Sequence, residues 1–119
     1  MEEIKVSYAK TVYGKKEIDA INKCLKESTQ MGHYARKFEK KIAKLFDKKY
    51  GIYVNSGSSA LYLGMEASGF PKGGEVITPA LTFSTTVGSI VKSDLVPVFV
   101  DVGIDDYCID IHSIEKNIS

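Results

Sequence analysis

The residues best placed to do chemistry form a run of small hydroxyl side chains at positions 55–61, with the sequence NSGSSAL. They follow the apolar residues 50–54, so the pattern predicts a strand that turns sharply into a helix. The first N–H groups of a helix have no intrahelical partner, and the helix dipole adds partial positive charge there. Because Gly57 permits close approach and serines add donors, we expect a site for an anion such as the phosphate of a cofactor. A ligand-free helix N-cap by Ser56 or Ser58 is the alternative.

Two helices are predicted before this turn, and strands alternate with helices after it. The predicted helices cover residues 15–27, 35–47, 58–68 and 82–92, with a last one capped by Asp110; the predicted strands cover 50–54, 75–78 and 96–102; and a glycine loop covers 28–34. Strand, helix, strand, helix, strand is typical of parallel sheets with right-handed crossovers. The predicted fold class is therefore α/β, with helices followed by a parallel β-α-β-α-β unit.

The predicted sheet is small for a complete α/β domain. A three-stranded parallel sheet needs helices on both faces, and both of its edges would be bare. We therefore expect an incomplete domain, organised as an N-terminal helical segment at 1–49 and the first part of an α/β domain at 50–119.

Composition excludes several classes of function. The formal net charge is +1, which gives no electrostatic case for nucleic acid binding. Basic residues do cluster between Lys37 and Lys49, but they alternate with apolar positions at helical spacing, which favours a solvated helix face. No apolar run reaches the roughly 18 residues that a membrane span needs. The two cysteines, Cys24 and Cys108, lie far apart without metal-ligand spacing, so we expect no metal and a cytoplasmic setting.

Four stretches in the right order resemble the DegT-type sugar aminotransferases, which have the aspartate-aminotransferase fold and bind pyridoxal 5'-phosphate (PLP). The stretches are residues 32–35 with 38–39, residues 55–61, residues 75–83, and residues 96–102 with 107–110. The resemblance runs from about residue 8 to the end of the chain. It implies the N-terminal portion of the large, PLP-binding domain of such an enzyme.

The resemblance gives four residues a role in cofactor binding. Ser58 and Ser59 occupy the positions whose backbone N–H groups and hydroxyl hold the cofactor phosphate, and Gly57 allows its approach. The family usually has threonine where Ser58 stands, and serine keeps the hydroxyl. Phe83 occupies the position whose ring stacks on the pyridine ring. Without the resemblance, Phe83 would be interpreted as a core residue in the first turn of a helix.

The resemblance also implies a reaction and its partners. An amino-acid donor, typically glutamate, converts PLP to pyridoxamine phosphate (PMP), and a nucleotide-linked keto-sugar then takes the amine. The catalytic lysine and the carboxylate at the pyridine nitrogen come from later strands in the family, so we assign no catalytic residue here and expect this chain alone to be inactive. A homodimer is implied for the complete protein.

Two other interpretations remain open, and a third is disfavoured. Residues 55–60 and 83–87 also resemble sequence motifs of the sugar 3-dehydratases of the same superfamily. Those enzymes use PMP and carry histidine in place of the catalytic lysine. A non-catalytic module or truncated relic would keep the fold without the chemistry. A Rossmann-type nucleotide binder is disfavoured because the chain lacks a G-x-G-x-x-G turn.

Overall fold

A computed structural model of the chain describes residues 6–27 and 32–119. In chain order its elements are α1 (Lys15–Glu27), α2 (His33–Leu45), α3 (Gly57–Ser68), β1 (Glu75–Pro79), α4 (Ser84–Lys92), β2 (Val96–Val100) and α5 (Ile111–Lys116). The chain divides into two compact units, Met1–Tyr53 and Val54–Ser119. These compact units do not test the predicted domain boundary between residues 49 and 50, which stays a prediction.

The first unit contains α1 and α2. Helix α1 has the predicted bounds, and its apolar side chains Ile18, Ile21 and Leu25 are 46% to 62% exposed. Helix α2 begins at His33 rather than at the predicted residue 35, so the predicted loop at 28–34 is wrong for its last two residues. Residues 28–31 of that loop lie outside the described residues.

The predicted strand at 50–54 is absent from the structure, which corrects the expected β-α-β-α-β unit. The segment lies against α2 instead of pairing with a strand. The Tyr53 N–H donates to Glu39 Oε1 at 2.9 Å, so the amide that would join a ladder is already used. A Cβ on Gly51 would lie 2.7 Å from the Glu39 carbonyl oxygen, so only glycine permits this close approach. Apolar composition predicted a strand, but a strand also needs a neighbour to pair with.

The second unit is built on β1 and β2, which pair in parallel with Glu75 opposite Val96 and Pro79 opposite Val100. Helix α4 connects them and packs on both strands and on α3. Ile90 of α4, Leu95 and Val100 are at most 6% exposed and form the core here. A parallel pair joined by a crossover helix is the predicted α/β arrangement, with two strands rather than three.

Strand β2 and helix α4 are each shorter at one end than the sequence predicted. Strand β2 ends at Val100, and Val102 forms only an isolated antiparallel bridge with Ile109. Helix α4 starts at Ser84, so Phe83 is its N-cap residue and not part of its first turn. Asp110 caps α5 as predicted, accepting the His112 N–H at 3.0 Å. Within residues 6–27 and 32–119, every helix is too short or too polar to cross a bilayer.

Candidate functional site

The N-terminus of α3 carries a serine cap. Ser56 has extended backbone angles, φ −159° and ψ 159°, and its Oγ accepts the Ser59 N–H at 3.1 Å. The Ser56 carbonyl accepts the Ala60 N–H at 3.1 Å, which starts the helical ladder. Serine suits this position because its short side chain reaches the amide three residues ahead.

The cap leaves three donors available at the helix start. The N–H groups of Gly57 and Ser58 have no acceptor in the part of the chain that the structure describes. The Ser58 hydroxyl likewise has no partner among those residues. A Cβ built on Gly57 meets nothing within 4 Å, so the space beside these donors is open. Two amides and a hydroxyl at the positive end of a helix dipole form a donor set for an anion.

Ser59 is placed differently from Ser58. Its hydroxyl donates to Asn55 Oδ1 at 2.7 Å and accepts from Ser56 Oγ at 3.1 Å. Its N–H is taken by the Ser56 cap. The amide and hydroxyl that the resemblance assigned to the phosphate therefore serve the local network of the helix start.

Phe83 precedes α4 with extended angles, φ −72° and ψ 141°, and its carbonyl accepts the Thr86 N–H at 2.9 Å. The Thr82 hydroxyl donates to Thr86 Oγ1 at 3.0 Å, which ties the residue before Phe83 to the first turn of the helix. The ring is 69% exposed, so it is not the core phenylalanine that the alternative interpretation required. An exposed ring on a fixed backbone offers a face for stacking.

A single open groove of about 640 Å³ brings these two helix starts together. Its lining residues are Gly57, Ser58, Ala60, Leu61, Gly64, Met65, Phe83, Thr85 and Thr86. Three of the four predicted cofactor residues therefore line one groove, and Ser59 is the one that does not. The volume falls within the roughly 300–1,000 Å³ of small-molecule sites. Lysine, aspartate and glutamate are missing from this lining, as far as the described residues show.

The opposite ends of α3 and α4 meet in a second, smaller cleft. Lys72 Nζ lies 2.6 Å from Asp94 Oδ2, and Lys92 Nζ lies 4.1 Å from the centre of the Tyr62 ring. The hydrogen bond to Asp94 raises the pKa of the Lys72 amine. Because the first turns of both helices share one groove and their last turns share the other, the two helices run in the same direction.

Sequence reasoning missed Asn55 and the groove residues of the helix interiors. Asn55 stands four positions before Ser59, and Ser56 stands three before it. That spacing of short polar side chains ahead of an apolar run is a recognisable capping signal. The groove floor of Leu61, Gly64 and Met65 has no such signal, because apolar helix residues look the same in a core and in a pocket wall.

The carboxylate of Asp106 has a local structural role. Asp106 Oδ1 accepts the Cys108 N–H at 2.9 Å, so this carboxylate shapes the turn that contains it. The described residues include no group of three or more His, Cys, Asp or Glu side chains able to hold a metal ion. The first unit has a groove of about 420 Å³ on α2 lined by basic side chains: His33, Arg36, Lys37, Lys40, Lys41 and Lys44. They occupy the solvent-facing side that their helical spacing predicted.

Residues 12–119 match the model of the DegT/DnrJ/EryC1/StrS aminotransferase family. The chain belongs to this family. The family match covers both units and includes all four predicted cofactor residues, and it agrees with the resemblance seen in the sequence. The α/β fold class is confirmed by the solved structures of the family. The partial coverage of the relatives agrees with the expected N-terminal portion of such a protein.

Three similar proteins illustrate this membership. A 3-oxo-glucose-6-phosphate:glutamate aminotransferase from Bacillus subtilis (strain 168) is 39% identical over 88 residues, which cover 74% of this chain and 20% of the relative. The structure of Escherichia coli GDP-4-keto-6-deoxy-D-mannose-3-dehydratase with bound hydrated PLP superposes with a TM-score of 0.88 at 33% identity, covering 99% of this chain and 32% of that one. NtdA from Bacillus subtilis with bound PMP gives a TM-score of 0.81 at 34% identity, covering 89% and 26%.

The DegT/DnrJ/EryC1/StrS chain described here therefore spans between a fifth and a third of the length of these relatives. The two solved structures named above hold PLP or PMP, and they include a 3-dehydratase. The matched region is the one that contains both helix starts of the groove.

Proposed function

We propose that this chain forms the phosphate-binding and ring-stacking half of a PLP site in an aminotransferase that acts on nucleotide-linked keto-sugars. One observation carries the proposal: the unpaired donors of Gly57 and Ser58 and the exposed ring of Phe83 line the same groove. Neither feature alone identifies a cofactor. A small molecule that carries both a phosphate and an aromatic ring needs a site in which the anion donors and the stacking ring lie close together.

The residues present fit this cofactor. The Gly57 and Ser58 amides and the Ser58 hydroxyl would hold the phosphate, since all three donors lie at a helix start without an acceptor among the described residues, and both residues line the groove. The Phe83 ring would lie against the pyridine face. When bound, PLP supplies the electron sink for transferring an amino group, and this chain's part is to bind and orient it.

We propose that the groups performing the chemistry, a lysine amine and a carboxylate, lie in the part of the relatives' length that this chain does not match. The absence of both groups from the described lining of the groove supports this division. For the complete protein we propose transfer of an amine from an amino acid such as glutamate to a keto-sugar on its nucleotide carrier. The name of the Bacillus subtilis aminotransferase relative gives glutamate as one of its substrates.

A second candidate is a PMP-dependent 3-dehydratase of the same fold. It is favoured by the superposition on the Escherichia coli dehydratase, which covers 99% of this chain. The two functions share the phosphate and ring contacts proposed here, so the described residues serve either. The residue at the catalytic lysine position separates them, because a histidine there would indicate the dehydratase.

We also propose a homodimer and a cytoplasmic location for the complete protein. Apolar side chains on α1, including Ile18, Ile21 and Leu25, are 46% to 62% exposed in the first unit, which supports burial against further protein. The sequence has two cysteines, Cys24 and Cys108, far apart along the chain, which agrees with a reducing compartment. Sedimentation of the complete protein tests the first proposal, and fractionation tests the second.

Binding of PMP to the 119-residue chain tests the proposed site directly. PMP carries an amine in place of the aldehyde, so it does not react with the lysines of the chain. Calorimetry should show PMP binding at least about tenfold more tightly than pyridoxamine, which lacks the phosphate. The Ser58→Ala variant should lose about fivefold to tenfold of the PMP affinity and leave the pyridoxamine affinity unchanged.

Ser68→Ala is the matched control, since Ser68 lies at the other end of α3 and donates to the Gly64 carbonyl. It should bind PMP as the unmodified chain does. Equal affinity for PMP and pyridoxamine would show that no phosphate site exists here and would overturn the proposal. Loss of PMP binding in Ser68→Ala as large as in Ser58→Ala would do the same.

A further inference from the structure

Asn55 lies next to the proposed phosphate site without lining its groove. Its Oδ1 accepts the Ser59 hydroxyl at 2.7 Å. Through Ser59, the side chain of Asn55 is connected to Ser56, whose Oγ both accepts the Ser59 N–H and donates to the Ser59 Oγ. Three consecutive bonds thus join the residue before the cap, the cap and the first turn.

This network determines which donors remain for a ligand. The Ser59 hydroxyl and N–H are both occupied inside it, whereas the Gly57 and Ser58 amides have no acceptor within residues 6–27 and 32–119. A serine hydroxyl without an acceptor rotates and competes for nearby backbone groups. With its acceptor in place, Ser59 keeps Ser56 in one orientation and holds the first turn fixed.

We propose that Asn55 is a positioning residue for the phosphate, a role that rests on the proposed function. It acts through Ser59 and Ser56 on the orientation of the Gly57 and Ser58 amides. The side-chain amide is suited to this task because its oxygen accepts a hydrogen bond without carrying charge. A carboxylate at position 55 would accept the same bond but would place negative charge beside a phosphate.

Asn55→Ala tests the positioning role. Its PMP affinity should fall about fivefold while its pyridoxamine affinity stays unchanged, because only the phosphate donors are disturbed. Ser59→Ala should have the same effect. The double variant should lose no more than either single variant, since both substitutions break one chain of hydrogen bonds. Hydrogen exchange of the Ser59 amide, which donates to Ser56 Oγ, should quicken in all three variants.

Asn55→Asp keeps the acceptor and provides the second test, which does not depend on the alanine variant folding. Its Ser59 amide should exchange as in the unmodified chain, yet its PMP affinity should fall, and added salt should restore part of it. If Asn55→Asp binds PMP as tightly as the unmodified chain at low salt, the requirement for a neutral acceptor is overturned.

The outcomes separate this proposal from the one on which it rests. If the unmodified chain does not prefer PMP to pyridoxamine, the phosphate site is wrong and the role of Asn55 falls with it. If the chain prefers PMP and folded Asn55→Ala keeps that preference in full, only the role of Asn55 is overturned. Additive losses in the Asn55→Ala, Ser59→Ala double variant would also overturn it, because independent effects contradict action through Ser59.

Discussion

Helices α3 and α5 both begin with a side-chain cap, and they differ in what the cap leaves available. Ser56 caps α3 with a neutral hydroxyl, and the Gly57 and Ser58 amides stay without acceptors among the described residues. Asp110 caps α5 with a carboxylate that accepts both the His112 N–H at 3.0 Å and the Ser113 hydroxyl at 2.6 Å. From this difference we expect a helix start to attract an external anion less strongly when its own cap already supplies negative charge.

Length strengthens the difference. Helix α3 has 12 residues and α5 has 6, so more peptide dipoles are aligned behind the serine cap. The α3 start also shares its groove with Phe83, which gives a bound molecule a second contact. We therefore expect the start of α3, and not the start of α5, to bind an anion.

Converting the α3 cap into the α5 type should have the largest effect. Ser56→Asp keeps an acceptor for the Ser59 amide, so the free energy of unfolding should stay within about 0.5 kcal/mol of the original. The new carboxylate would lie beside the proposed phosphate site, so PMP affinity should fall at least about tenfold at low salt. Calorimetry measures the affinity, and urea unfolding measures the stability.

Ser56→Asn is the control for that change, because asparagine caps helices well and carries no charge. It should lose much less affinity than Ser56→Asp. If the aspartate variant binds PMP normally at low salt, the negative charge of a cap does not decide anion binding, and the contrast between α3 and α5 has another cause.

Removing the α3 cap should have a smaller effect, and on stability. Ser56→Ala leaves the Ser59 N–H without its acceptor and should lower the free energy of unfolding by about 1 kcal/mol. Ser68→Ala, near the other end of α3, removes only a bond from a hydroxyl to the Gly64 carbonyl and should change stability by less than about 0.5 kcal/mol. Equal losses in the two variants, measured in urea, would mean that the serine cap does not stabilise α3.

The sequence predicted those parts of the fold that depend on local signals. The bounds of α1 and the Asp110 cap follow from periodicity and capping residues close in sequence. The prediction of a strand at 50–54 was wrong because the Tyr53 amide donates to Glu39, which lies 14 positions earlier in the chain. Apolar composition alone does not distinguish a paired strand from an extended segment packed on a helix.

The candidate site divides in the same way. Gly57 and Ser58 were identifiable because small and hydroxyl residues at a helix start have a direct physical meaning. Phe83 gained its role only from family resemblance, since the exposure of its ring depends on where α4 begins. Ser59 does not line the groove, and its hydroxyl donates to Asn55 instead. The sequence gives no signal for which of two neighbouring serines lines a groove.

The α5 cap should reveal itself in the pH dependence of its helix. The hydrogen bond from Ser113, with that from the His112 amide, holds the pKa of the Asp110 carboxyl below its usual value of 3.8. A lowered pKa in the folded state means that the cap stabilises α5 above pH 3.8 and that this stabilisation is lost as the pH falls through the folded pKa. Chemical shifts of Ile111–Lys116 should therefore show the helix fraying in acid.

In Asp110→Asn the fraying should disappear, because the side-chain amide caps without titrating, and the serine-capped start of α3 should show no transition of its own in this range. If α5 still frays in acid in Asp110→Asn, another titrating group causes the fraying, and the negative charge of Asp110 does not stabilise the helix.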